Sequence, residues 1–233
     1  MGRGSTEVGA AVHSFYRRAR VAVLARIFPV LLRRDRSISV IRLGSEHGGW
    51  VPRDGLGPRS VCYCAGVGDD SSFDLALAET VGAGAVSLDP TPRAVAYVRH
   101  LIFPPKMTFL PEGIGGSDRD ARFYEPSDPA HASFSIPNLQ HTDSYVVAPI
   151  RRLPTLMTQL GHSTLDLLKL DVEGAEYAVL DAMHEDNIYP RILCVDQPHS
   201  LKDTVNAIRR LRSAGYEVAH VDRLNVSFAR GTT

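Results

Sequence analysis

From residue 59 onward, short apolar runs alternate with longer stretches in which apolar residues recur every three or four positions. Short apolar runs are typical of buried strands, and the longer spacing is typical of helices that bury one face. The predicted strands are Ser60–Ala65, Ala85–Leu88, Met107–Leu110, Val146–Ile150, Leu165–Val172, Ile192–Val195, Tyr216–Asp222 and Val226–Arg230. The predicted helices are Ser72–Val81, Pro92–Ile102, Pro154–Leu160, Ala175–Glu185 and Leu201–Ala214. This alternation predicts an α/β fold with a mostly parallel, doubly wound sheet.

The end of the chain departs from the parallel pattern. Its last two strands are joined by Arg223-Leu224-Asn225, which is too short for a parallel crossover and predicts an antiparallel hairpin at the sheet edge. The length of 233 residues suits one large domain with an extension. We expect that domain over 59–233, with a helix and lead-in over 13–58 and a disordered tail over 1–12.

Residues 13–34 predict a basic amphipathic helix, interrupted near Pro29. Such a helix can pack its apolar stripe on the domain or on a partner chain, including a second copy, or it can lie on a membrane surface. Both roles stay open, with packing favoured. The sequence has no apolar run of about 18 residues and no recognisable secretory signal, which predicts a cytoplasmic protein.

Residues 114–145 are rich in Ser, Asp, Pro and His and break the regular alternation, with only short extended pieces predicted around Phe123 and Phe134. A long irregular segment of this kind is where a lid or substrate-binding loop is found. We therefore expect this segment to cover part of a binding site.

Charge is balanced overall but divided unevenly along the chain. Residues 1–36 hold eight Arg against two acids, a balance of +6, and the remainder holds 18 basic against 24 acidic residues, a balance of −6. An acidic body argues against a nucleic-acid partner. The three cysteines fall in apolar strands, so we expect free, packed thiols rather than disulfides or a zinc site.

Three acids follow the strand that ends near Leu170, namely Asp171, Glu173 and Glu176. A buried carboxylate needs a partner, so acids at a strand end usually face a cleft or a cation. The alternative is that Glu173 and Glu176 only complement the dipole of the next helix. That alternative explains one acid better than three, and we favour a functional site.

Gly66-Val67-Gly68 follows the first strand of the domain, and Asp89 follows the second strand. Glycines let a ligand approach the backbone, and an acid about 20 residues later can accept hydrogen bonds from a ribose. NAD is a competing ligand. However, Ser71 stands where its motif requires a third glycine, and the neighbouring Asp69 and Asp70 would repel a pyrophosphate.

The run Lys169-Leu170-Asp171-Val172-Glu173-Gly174-Ala175-Glu176 closely resembles the K-(I/L)-D-V-E-G-x-E signature of FkbM-type methyltransferases. The resemblance extends over roughly residues 60–230. It implies a Rossmann-like class I methyltransferase fold, with S-adenosylmethionine as cofactor and a small-molecule acceptor, a sugar or secondary metabolite that is methylated on a hydroxyl. The cofactor residues it implies are Gly66, Val67, Gly68, Asp69, Asp89, Pro90, Glu112, Gly113, Ile114 and Asp171, with Trp50 either near the cofactor or in the core.

Three positions bear on the match to the family pattern, and the last of them is the end of the fifth strand, where the family tends to carry an acid and this chain reads Val195-Asp196-Gln197. Cys64 replaces an acid two residues before the first glycine, and Asp70 stands where a third glycine is common. The methionine ammonium of the cofactor then needs another acid. Asp69, Asp70 and Asp171 are the candidates.

Methyl transfer to oxygen is an in-line displacement in which a base or a metal helps to remove a proton. Glu173 is our first choice for the base, with Glu176 one helical turn away and His199 as a second candidate. Alternatively, Asp171, Glu173 and Glu176 hold Mg²⁺. His47, His131 and His141 are weaker candidates, since a lone loop histidine is usually just solvated. Competing functions are a non-catalytic cofactor-binding or membrane-associated accessory protein and an NAD-dependent dehydrogenase.

Overall fold

The predicted alternation is found in a computed structural model that describes residues 26, 29–30, 32–46, 48–128, 133–196 and 201–231. The strands are β1 (Val40–Leu43), β2 (Gly49–Pro52), β3 (Val61–Ala65), β4 (Gly84–Leu88), β5 (Met107–Leu110), β6 (Gly113–Ile114), β7 (Arg119–Tyr124), β8 (Tyr145–Arg151), β9 (Leu167–Leu170), β10 (Ile192–Val195), β11 (Tyr216–Asp222) and β12 (Asn225–Arg230). The helices are α1 (Ser72–Ala76), continued by a π-helical turn over Leu77–Val81, α2 (Pro92–Val98), α3 (Leu153–Leu160), α4 (Glu176–Glu185) and α5 (Leu201–Ser213).

Among the described residues, seven strands form the central sheet in the order β11-β12-β10-β9-β3-β4-β5. The five strands from β10 to β5 are parallel, whereas β12 is antiparallel to both of its neighbours. The predicted edge hairpin is therefore confirmed. The chain runs outward from β3 to β5 and then returns to β9 on the other side of β3. A reversal of this kind creates a crevice at the carboxyl ends of the strands, where ligands bind in open α/β sheets.

Helices cover both faces of the central sheet, as predicted. On one face, α3, α4 and α5 bury Leu156, Val179 and Ile208 in the larger apolar core. On the other face, α1 and its π-helical continuation pack Phe73 and Leu77 against the strands. All three cysteines lie buried and unbridged in that second core, which confirms the prediction of packed thiols. Burying each large apolar side chain stabilises the fold by about 1.5–3 kcal/mol.

The predicted irregular segment over 114–145 contains a regular strand. β7 pairs antiparallel with β8 from Arg119–Ile150 to Tyr124–Tyr145, and β6 joins the other edge of β8. In β7, Ala121 and Phe123 point into a small core, while charged neighbours alternate with them toward solvent. The sequence predicted only a short extended piece around Phe123, because two apolar positions among charged residues are a weak pattern for a full strand. The irregular part shrinks to the segment between these strands.

Most of the predicted N-terminal helix over 13–34 and the whole tail over 1–12 lie outside the described residues. Within the described part, residues 26, 29 and 30 are helical, and Leu32 is buried in the larger core. The backbone N–H of Asp35 donates to the carbonyl of Val218 in β11. The lead-in therefore joins the domain at its edge hairpin. Nowhere in the described residues does a helix combine the length and apolarity that crossing a bilayer requires.

Helix α2 ends earlier than its predicted bound at Ile102. Thr91 caps its start, where the Thr91 side chain accepts a hydrogen bond from the Ala94 N–H. The helix ends at Val98, and Ile102 is 95% exposed. After Val98 the backbone tightens into turns, in which the N–H groups of His100 and Leu101 donate to the carbonyls of Tyr97 and Val98.

Candidate functional site

A cavity of about 670 Å³ opens at the carboxyl ends of β3, β4 and β9, where the strand order reverses. Its volume lies in the range of small-molecule sites. The predicted site residues that line it are Gly66, Val67, Gly68, Asp69, Asp70, Asp89, Pro90, Gly113, Ile114, Asp171 and Glu173. A small cavity of about 30 Å³ adjoins it and shares the side chains of Lys169, Asp171 and Asp196. The fold thus brings most of the predicted residues to one place.

The loop after β3 needs its first glycine for two reasons. Gly66 has φ +94°, and a Cβ atom there would lie 1.8 Å from the carbonyl oxygen of Asp171. An L side chain would therefore be strained and would also collide with backbone. Because Gly66 packs directly on Asp171, a ligand bound along this loop lies next to that carboxylate.

The Asp89 carboxylate organises the same loop. Its Oδ2 accepts hydrogen bonds from the N–H groups of Val67 at 3.0 Å and Gly68 at 2.9 Å. Its Oδ1 accepts from the N–H and the hydroxyl of Thr91 at 2.9 and 2.7 Å. Charge-assisted bonds of this kind are the stronger ones in proteins. Asp89 holds the loop in shape, and its contact with a ribose stays a prediction.

Asp69 and Asp70, considered for the cofactor ammonium, both have protein partners. Asp69 forms an ion pair with Arg93 at 2.8 Å, in which the Asp69 side chain is 54% exposed. Asp70 accepts hydrogen bonds from the Ser72 N–H and the Ser45 hydroxyl. These contacts tie the loop to the start of α1 and to the turn between β1 and β2.

A buried ammonium lies beneath the cavity. Lys169 is 9% exposed, and its Nζ lies 3.3 Å from Asp171 Oδ2. Burial lowers the pKa of Lys169, but the carboxyls of Asp171, Asp74 and Asp196 outweigh it and raise that pKa above its usual value. Lys169 therefore remains protonated and serves as the counter-ion of the acids around it.

Asp74 approaches this ammonium from α1. It is buried and accepts a hydrogen bond from the Ser87 hydroxyl. Burial raises the pKa of Asp74 to about 6, against the opposing effects of Ser87 and Lys169. Asp74 therefore takes up a proton more readily than an exposed aspartate, and Lys169 favours its charged form without forming a close ion pair with it.

Glu176 and Glu173 separate into different roles. Glu176 is 1% exposed, and its carboxylate accepts the N–H groups of Val172 and Gly174 at 3.0–3.2 Å. It therefore fixes the turn between β9 and α4 from beneath. Glu173 has φ +48°, an uncommon conformation for a non-glycine residue, and lines the cavity. Of these two predicted catalytic acids, Glu173 is at the cavity and Glu176 supports the turn.

Trp50 lies against the edge hairpin and lines the small cavity. Its ring stacks on His220 with centroids 4.4 Å apart, and its Nε1 donates to Asp222 at 3.3 Å. Its carbonyl accepts the Ser227 hydroxyl at 2.6 Å. Trp50 thus has the packing role that the sequence left open, and a cofactor contact stays a prediction.

Glu112 is directed toward β8, where its Oε1 lies 3.8 Å from Arg151 Nε. Its other oxygen, Oε2, is buried and has no hydrogen-bond partner among the described residues. The neighbouring Gly113 and Ile114 are the residues of this stretch that line the large cavity. The predicted contact of Glu112 with adenine is not tested by this arrangement.

The histidine candidates add little to the site. His199, His131 and His47 lie outside the described residues. His141 is described, and it is an exposed residue with φ +54° in the loop between β7 and β8.

The magnesium alternative finds no matching geometry in the described part of the chain. No group of three or more His, Cys, Asp or Glu side chains is arranged there to hold a metal ion. Asp171 and Glu173 line the cavity, whereas Glu176 is turned toward the backbone N–H groups beneath it. The three acids are therefore not brought together as a metal centre.

Sequence reasoning gave no site role to Lys169 or to the cavity-lining Arg42 and Asp222, and it noted Asp196 only by its position at the end of the fifth strand. One signal was present for Lys169, since alternate residues of a strand share a face and Lys169 stands two positions before Asp171. Asp196 required the strand order, because it meets Asp171 only when β10 lies beside β9.

Comparisons with known proteins bear on the same part of the chain. No curated protein matches the sequence significantly. The family model of the methyltransferase FkbM domain matches residues 55–218, which include the glycine loop, Asp89, and the strand and turn around Asp171. Because this match spans well over half of the chain and contains the predicted signature, the protein belongs to the FkbM methyltransferase family.

Proposed function

We propose that this protein is an S-adenosylmethionine-dependent methyltransferase that methylates a hydroxyl group of a small molecule, a sugar or secondary metabolite. The observation that carries the proposal is the 670 Å³ cavity, where the glycine loop after β3 meets the acids after β9 and β10. Membership of the FkbM methyltransferase family supports the reaction class. The strand order, with its reversal beside β3, supports a Rossmann-like class I arrangement.

The charge of the cavity favours a cationic cofactor. Acids on its wall include Asp69, Asp89, Asp171 and Glu173. Such a wall disfavours the pyrophosphate of a dinucleotide and favours a sulfonium cation. The apolar side of the cavity, which includes Ile114, offers a surface suited to an adenine ring.

The chain's task in the reaction is alignment and proton removal. When bound, S-adenosylmethionine supplies an electrophilic methyl group on a positively charged sulfur. The backbone around Gly66 and Gly68 would hold the cofactor against Asp171, so that an acceptor oxygen can approach in line. Asp171 and Glu173 are the acids placed to accept the hydroxyl proton, because both line the cavity.

Calorimetric titration with S-adenosylhomocysteine, and with NAD in parallel, tests the cofactor. We expect wild type to bind S-adenosylhomocysteine and not NAD. Asp89→Ala should weaken binding at least about tenfold, because it removes charge-assisted bonds that shape the loop. Asp120→Ala, which removes an exposed acid on β7, is the matched control and should bind like wild type. Absence of binding by wild type, with and without Mg²⁺, would contradict the proposal.

A further inference from the structure

Two carboxyl groups meet at the floor of the cavity. Asp171 follows β9 and Asp196 follows β10, and these neighbouring parallel strands pair Leu170 with Val195. The Asp196 N–H donates to the carbonyl of Leu170 at 2.8 Å, which fixes the second acid beside the first. Both side chains line the large cavity and the small one. The two carboxyl groups therefore lie side by side at the ends of these strands, within electrostatic reach of each other.

A carboxyl group placed beside another one ionises with difficulty unless a cation neutralises the pair. When both groups are ionised they only repel each other, so a close pair shares one proton over a range of pH. The pair faces a single buried ammonium, Lys169, which lies 3.3 Å from Asp171. The same ammonium also interacts electrostatically with Asp74. The carboxyl groups of Asp171, Asp196 and Asp74 thus share one cation, Lys169. The floor of the cavity therefore carries surplus negative charge unless a proton or another cation is present.

The other charged groups around the pair do not supply that cation in excess. Arg42 and Glu46 come from β1 and the turn after it and have opposite charges. Glu173 from the turn after β9 and Asp222 from β11 add negative charge, and Arg223 in the turn after β11 adds positive charge. Burial and the carboxylate of Asp171 raise the pKa of Asp196, and Lys169 opposes them only in part. The surroundings therefore favour one proton on the pair in the unliganded protein.

We propose that Asp171 and Asp196 hold one proton between them, release it to solvent when a sulfonium cofactor binds, and take up the acceptor's hydroxyl proton during methyl transfer. This inference rests on the proposed function. It assigns Asp196, together with Asp171, as the proton-accepting group.

The step balances in atoms and charge. The bond between methyl carbon and sulfur breaks, and its electron pair stays on sulfur. A bond forms between the acceptor oxygen and the methyl carbon, and the hydroxyl proton moves to the carboxyl pair. Before the step, two carboxylates face one sulfonium; after it, a singly protonated pair faces a neutral thioether and a neutral ether. The protonated pair of the unliganded protein is thus restored, ready to release its proton to the next cofactor.

Proton release on binding can be measured without an acceptor. Full-length protein would be titrated calorimetrically at pH 7 with S-adenosylmethionine and with S-adenosylhomocysteine, in buffers of different ionisation enthalpy that contain EDTA. The dependence of the observed heat on the buffer gives the number of protons exchanged. We expect the sulfonium compound to release about one proton more than the neutral thioether. EDTA excludes a contribution from divalent ions.

Two variants locate the proton. Asp196→Asn should bind S-adenosylmethionine without this extra release, because an amide cannot hold the proton. The difference between wild type and this variant also cancels any protons that the ligand itself exchanges. Asp171→Asn should do the same, so that the test survives if one variant does not fold. Asp120→Asn, on the exposed side of β7, should release protons like wild type.

Equal proton release by wild type with both compounds would overturn this inference and leave the methyltransferase proposal standing. Unchanged extra release in both Asp196→Asn and Asp171→Asn would also overturn it, because the proton would then belong to another group. Failure of wild type to bind either compound would overturn the proposed function and this inference together.

Discussion

Glu176→Gln should abolish a loss of stability that the wild-type protein suffers as the pH rises toward neutrality. Glu176 lies beneath the turn between β9 and α4, is 1% exposed, and accepts the N–H groups of Val172 and Gly174. Burial raises the pKa of Glu176 from 4.5 to about 7, although the backbone N–H groups that it accepts oppose this rise. Folding therefore favours the protonated form of this acid.

The direction and size of the effect follow from this raised pKa. Between pH 4.5 and about pH 7 the folded protein keeps the Glu176 proton while the unfolded chain loses it. The free energy of unfolding therefore falls as the pH rises through this window, by about 3 kcal/mol in total. Below the window both states are protonated, and above it both are ionised, so the contribution is constant on either side.

Urea denaturation of wild type and Glu176→Gln at pH 5 and pH 8 measures this contribution. A glutamine resembles the protonated acid, since its carbonyl oxygen can accept the same N–H groups. Relative to wild type, the variant should gain about 2.5 kcal/mol of stability from pH 5 to pH 8. Glu217→Gln, an exposed acid on β11, should follow wild type at both pH values. Parallel pH dependence of wild type and Glu176→Gln would refute the reasoning.

Two further substitutions test the loop and the buried ammonium. Gly66→Ala should weaken S-adenosylhomocysteine binding at least about tenfold, since its Cβ would meet the Asp171 carbonyl oxygen, whereas Gly57→Ala meets nothing within 4 Å and should bind normally. Lys169→Met should lower the free energy of unfolding by about 3–5 kcal/mol at pH 8 in urea denaturation, because it leaves buried carboxylates without their counter-ion. That loss of stability should be smaller at pH 5, where buried carboxylates take up protons. Lys202→Met, at an exposed lysine, is the control and should change the free energy of unfolding little at either pH.

The parts of the fold that could be predicted are those with a strong local pattern. Ile192–Val195 was predicted to the residue because both faces of β10 are buried and every position is apolar. β7 was predicted only as a short extended piece around Phe123, and β1 was missed, because both lie outside the central sheet and combine few apolar positions with exposed charged ones. Their pairing depends on strands distant in sequence or on a turn that no strong signal marks.

The residues of the candidate site also divide into those with a strong local sequence pattern, which were predicted, and those without one. The glycine loop and Asp171 were predicted because the chemistry of each is encoded within a few residues. Lys169 and Asp196 were given no role in the site because their roles depend on which strands are neighbours. The orientation of Glu176 was also beyond the sequence, since one helical turn can direct a carboxylate either to the cavity or to the backbone beneath it. Local chemistry was thus predictable, whereas chemistry assembled across the sheet was not.

The arrangement beneath the cavity connects the sheet to the proposed reaction. In register across the sheet, Lys169 lies between Cys64 and Cys194, so the one cation of this row is flanked by uncharged thiols. Asp171 and Asp196 therefore have no second ammonium within the row to neutralise them. A buried group of charges stabilises a fold little by itself. Well-packed apolar side chains in its place are often as stabilising or more so. An unbalanced acid pair at the floor of a cavity is instead what a site needs if a cation is to bind there and a proton is to be taken up next to it.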